Sequence, residues 1–205
     1  MNDHQFICLQ MNPSCSRDPW WVVWSEVQSD ALVQFSFLVP GLVAEERFIE
    51  AIWLIWQWDE GKRLLRAAAE HGVTIRARER IEDALGAYGW YHQALVVNRR
   101  FTETSTWTVA DVLAHELQHV VDHKLGRIPT GPGPACFAVE REAYGVERRY
   151  LVWLSKRFGG LPNPVEIAGR LSEEDFVLYA NLYEIGTSPD LDAAVRRDYR
   201  QSCLR

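Results

Sequence analysis

His115, Glu116 and His119 are the residues whose types and spacing most clearly carry chemistry. They lie in the segment Ala114-His115-Glu116-Leu117-Gln118-His119. On an α-helix, residues four apart share a face, so both imidazoles can address one metal ion. Glu116 sits one position on. It can reach a water on that ion but is not placed to join the two histidines as a ligand. Zinc lowers the pKa of a bound water to about 7, and a neighbouring carboxylate can then take the proton as general base. The chemistry implied is metal-assisted hydrolysis.

A catalytic zinc ordinarily has three protein ligands and one open position. The candidates for the third are His123, Asp122, Glu140 and Glu142. His123 continues the four-residue ladder, but eight residues of helix separate it from His115 by about 12 Å along the axis. It reads better as a helix-end histidine in a favourable dipole. Asp122 shares the face of His119 and is better placed to orient an imidazole than to bind the metal. Glu140 and Glu142 flank the apolar stripe of Val139, Ala143, Val146, Tyr150 and Leu154 on opposite sides. Periodicity alone does not choose between them.

The HExxH segment followed by a Glu on a second helix resembles the gluzincin branch of the zinc metallopeptidases. There the third ligand commonly sits in an ExxA or ExxS/D segment about 20 residues after the second His. Glu140-Arg141-Glu142-Ala143 matches ExxA at that distance. The resemblance implies Glu140 as ligand, Glu142 as the fallback, and zinc-dependent peptide-bond hydrolysis with Glu116 as base. The metzincin pattern fits poorly, since it needs Gly where Asp122 stands and His where Leu125 stands. The wider stretch, roughly residues 60–155, is also similar to small bacterial proteins predicted to be metallopeptidases. The likeness further implies that the strand at Gln93 to Asn98 is the sheet edge on which an extended peptide pairs.

These residues need a scaffold. From Leu42 the pattern turns helical, with Phe48, Ile49, Ile52, Trp53 and Trp56 on one face and apolar residues nearly all round. Gly61 punctuates it, and Lys62 to His71 reads as a second short helix. Val73 to Ala77 alternates like a strand, Gly86 and Gly89 mark a turn, and Gln93 to Asn98 is a second strand. Thr108, with Asp111 three residues on, caps a helix reaching about Leu125. Thr130 to Pro134 is a loop. Further helices are expected at Phe137 to Phe158, Ser172 to Glu184 and Asp190 to Tyr199. Helices, then strands, then helices make an α+β layout, expected here as one zincin-like domain over residues 41–205. Residues 1–40, with apolar pieces at Trp21 to Trp24 and Ala31 to Val39, read as an N-terminal arm or cap.

The 205 residues suffice for one domain with a real core. With 47% hydrophobic and 24% charged residues, the chain is not mainly disordered. A net charge of −6 argues against nucleic acid and leaves a peptide or protein substrate open. No stretch reaches membrane-span length and no secretory signal is evident, so a cytoplasmic location is expected. Cys8, Cys15, Cys136 and Cys203 show no metal-binding spacing and read as free thiols. The nine Trp, crowded toward the N-terminal end, read mostly as core. Beside the peptidase stands a second reading, a non-catalytic zinc-binding regulatory domain of the same fold.

Overall fold

Helix α1 (Glu45–Trp56) and helix α2 (Asp59–Glu70) open the part of the chain that the computed structural model describes. That part comprises residues 45–78, 84–89, 91, 93–98, 104–129, 131–160 and 171–204. The N-terminal arm with Trp20, Trp21 and Trp24 lies outside it, as does Trp90. Helix α1 buries Ala51, Ile52, Leu54, Ile55 and Trp56, in keeping with its nearly all-round apolar sequence. Gly61 does not punctuate the helices as its type suggested. It lies inside α2, where a Cβ would come within 2.0 Å of the Ile55 carbonyl oxygen. The glycine lets the first turn of α2 pass hard against the end of α1.

Strands β1 (Thr74–Arg78), β2 (Gly86–Gly89) and β3 (Ala94–Asn98) form a mixed sheet in the order β1-β3-β2. Strand β1 runs parallel to β3, and β2 runs antiparallel to it, with Gly86 opposite Val97 and Gly89 opposite Ala94. This corrects two expectations. Among the described residues, the strand at Gln93 to Asn98 is central, not the edge, and Gly86 and Gly89 bound an edge strand instead of marking a turn. The burial of Ala94, Leu95, Val97 and Asn98 suits a strand paired on both sides.

Helix α3 (Thr106–Lys124) runs through the middle of the molecule, packed by α1, α2, the sheet and helix α4 (Pro134–Phe158). Its N-cap is Ser105, three residues before the expected Thr108. The Ser105 hydroxyl accepts from the Thr108 backbone N–H at 3.2 Å. Helix α4 also starts three residues early, because Pro134 occupies its first turn, where a missing N–H costs nothing. Helices α5 (Glu173–Thr187), α6 (Leu191–Asp198) and α7 (Arg200–Leu204) pack back over α4. Seven helices and one small sheet among the described residues make an α+β layout. None of these helices is long and apolar enough to cross a membrane.

Trp56 and Trp58 are core residues, while Trp53, Trp107 and Trp153 are half-buried. The cysteine reading needs correction. Cys136, at the start of α4, and Cys203, in α7, are joined by a disulfide. Their separation of 67 residues gave no spacing signal, and only the return of α7 onto α4 brings them together.

Candidate metal centre

His115 and His119 occupy consecutive turns of α3, and Glu140 reaches them from the second turn of α4. Glu140 Oε2 lies 3.6 Å from His115 Nε2 and 3.8 Å from His119 Nε2. One donor atom from each of the three falls within 4.8 Å of the others, so the group could hold a metal ion. The carboxylate separations are too long for hydrogen bonds. They suit ligands about 2.0–2.2 Å from a shared ion, which at tetrahedral angles stand about 3.4 Å apart. Glu140 Oε2 is buried and has no hydrogen-bond partner among the described residues. Such an oxygen is costly unless something meets it, so the donor set fits a cation.

The two histidines differ in their electrostatic surroundings. Burial pulls the His119 pKa down to about 4, so it presents a neutral nitrogen. Burial also opposes charge on His115. The carboxylates of Glu140 and Glu147 more than offset it and hold the imidazolium well above the ordinary range. Glu147 Oε2 lies 3.2 Å from His115 Nδ1. A carboxylate at Nδ1 places the ring proton there and leaves Nε2 for the metal. For Glu140, burial is outweighed by the two imidazoles and a hydrogen bond from Tyr199, so its pKa lies below the usual value.

Glu116 is buried against the edge strand. Burial lifts its carboxyl to about 7; His115 opposes this and Glu140 adds to it. The Tyr88 backbone N–H donates to it. Gly86 makes this approach possible, since a Cβ there would lie 2.6 Å from Val112 Cγ1 and 3.1 Å from Glu116 Cγ. A cavity of about 450 Å³ opens here, with His115, Glu116, Gly86, Tyr144 and Tyr199 in its wall.

The other three candidates for the third ligand lie apart. Glu142 is half-exposed and stands 3.7 Å from Arg149. Asp122 is buried but engaged, 2.6 Å from Arg127 and accepting from Gln118 at 3.0 Å. Cys136 is held in its disulfide. His123 turns away from the three donors, toward His71 and Tyr88.

Glu147, Asp111 and Tyr199 escaped the sequence reading. Glu147 follows Glu140 by two helical turns and so shares its face, a signal that was present. Asp111 precedes His115 by one turn and is buried beside Glu147. Tyr144 sets its ring edge-on to His115, with centroids 4.5 Å apart, and its hydroxyl lies 3.0 Å from that of Tyr199. Tyr199 comes from the turn between α6 and α7, so no local pattern connects it to the motif. No family model, curated protein or solved structure matches this chain.

Proposed function

We propose that this chain is a zinc-dependent peptide hydrolase in which His115, His119 and Glu140 hold the ion and Glu116 is the general base. The observation that supports this reading most is the meeting of three donors around one point beside a buried carboxyl whose pKa is about 7. When bound, zinc supplies Lewis acidity and a water acidified to about pKa 7. The protein residues supply the rest. His115 and His119 present Nε2, with Glu147 fixing the ring of His115. Glu116 takes a proton from the attacking water and hands it to the departing amine nitrogen. A carboxyl near pKa 7 is suited to both transfers. Strand β2 is an edge among the described residues, and its Tyr88 N–H bonds to Glu116. An extended peptide pairing with that edge runs beside the base, which favours a peptide substrate.

The test is Glu116→Gln in the zinc-loaded chain. Hydrolysis of a broad peptide library falls by roughly 10²–10⁴-fold while zinc stays bound. Glu140→Gln releases zinc and Glu142→Gln does not. Unchanged turnover in Glu116→Gln overturns the assignment of the base. Zinc binding with no cleavage of any peptide by the wild-type chain favours the regulatory-domain reading.

A further inference from the structure

His123 follows His119 by one turn of α3, yet its ring belongs to a different cluster. Its Nδ1 lies 3.2 Å from Nε2 of His71 and 2.9 Å from the hydroxyl of Tyr88. His71 is the C-cap of α2, Tyr88 lies in β2, and His123 is in the last turn of α3. Two other elements therefore each bring one donor atom to His123 Nδ1.

Hydrogen bonding serves this arrangement poorly. An imidazole nitrogen offers either one lone pair or one proton, so Nδ1 can serve one of its two contacts at full strength. A cation accepts lone pairs from all three atoms. Two nitrogens bound to one tetrahedral zinc stand about 3.3 Å apart. The His71–His123 separation is 3.2 Å, with the rings edge-on at 87°. Both histidines also sit at helix C-termini, where the backbone carbonyls leave partial negative charge. The nearby ammonium of Lys124 is matched by its ion pair with Glu70.

From this geometry we infer that His71, His123 and Tyr88 form a second cation site, for a divalent ion of the zinc, nickel or copper class. Imidazole ligands suit those ions. The site is separate from His115, His119 and Glu140 and does not depend on the catalytic reading. Its consequence is mechanical. An ion there ties β2 to the ends of α2 and α3, and β2 is the strand whose Tyr88 N–H meets Glu116.

The experiment counts zinc per chain by equilibrium dialysis on full-length protein, with folding checked by circular dichroism. Wild type binds two ions. The double variant His115→Ala/His119→Ala binds one, and so does His71→Gln/His123→Gln. Tyr88→Phe weakens the second site by about tenfold. Two ions retained in His71→Gln/His123→Gln, or none bound by His115→Ala/His119→Ala, overturns the inference. One ion in His115→Ala/His119→Ala with none in His71→Gln/His123→Gln supports this site and overturns the first. A further measurement avoids variants altogether. Zinc shifts the imidazole NMR resonances of His71 and His123 in the wild-type chain, and resonances unmoved at saturating zinc overturn the proposal.

Discussion

Toward the middle of α3 buried acids face a histidine, and at its C-terminal end, on the same helix face, a buried acid faces an arginine. The first cluster holds Asp111 and Glu147, each 3% exposed, with the His115 ring beside Glu147. Burial raises both their pKa values, and Glu147 adds repulsion for Asp111. Among the described residues, Asp111 Oδ1 and Glu147 Oε1 have no hydrogen-bond partner, and neither has Asp122 Oδ2. The second cluster holds Asp122, met by Gln118 from one turn earlier and by Arg127 from just beyond the helix. The difference lies in what fixes each carboxylate. Asp122 is held by its own neighbours in sequence. Glu147 is held through His115, so its position and the metal centre depend on one another.

The largest expected effect bears on the cover of the Glu147 cluster. The disulfide joins α4 to α7, next to the turn that supplies Tyr199. Replacing Cys136 and Cys203 by Ser lowers unfolding stability by about 2–4 kcal/mol in chemical denaturation. It also loosens the centre, while the Asp122 cluster is unaffected. Equal stability of the double variant would remove the disulfide from this account.

The next test sets the two clusters against each other. Glu147→Gln weakens metal binding by roughly 10–100-fold in competition with a chelator. Asp122→Asn leaves metal affinity within about twofold and costs about 1–2 kcal/mol of stability, since the freed guanidinium of Arg127 is half-exposed and returns to water. If the two variants lose metal equally, the contrast between the clusters fails.

The smallest effect calibrates the buried groups against a surface one. Arg149 donates to both oxygens of Glu60 at 2.9 Å, linking α4 to α2. Burial opposes ionisation of Glu60, but Arg149 outweighs it and sets the pKa below 4.5. A carboxyl depressed in the folded state stabilises fully above its unfolded pKa and loses that contribution as pH falls through the folded value. Arg149→Ala therefore costs about 0.5–1 kcal/mol at pH 7. The gap between variant and wild type closes as pH falls below the ordinary carboxylate range, read from unfolding curves at several pH values.

What the sequence made legible was local. The spacing of His115, Glu116 and His119 and the extent of α3 follow from helical periodicity, which needs no knowledge of the rest of the chain. Glu140 needed more than periodicity. Glu140 and Glu142 flank one apolar stripe, and which of them points at α3 depends on how α4 is rotated when it packs. The edge strand was misread for a similar reason. Alternation identifies a strand but not its neighbours, and β2 has two glycines in four residues, a composition that signals turns. The Cys136–Cys203 bond and the Tyr199 contact are products of the C-terminal helices folding back, with no trace in nearby spacing.

Those two glycines in β2 bear on how this protein tolerates change. Position 86 has no side chain and titrates nothing, so a scan of ionisable residues would pass it by. Yet even the single methyl of alanine would compete for the volume taken by Val112 and the stem of Glu116. The carbon chain that carries the base would have to move aside. Position 86 thus acts as a gauge of the space left to the base, and its freedom to drift in sequence is narrower than that of many charged residues on the surface.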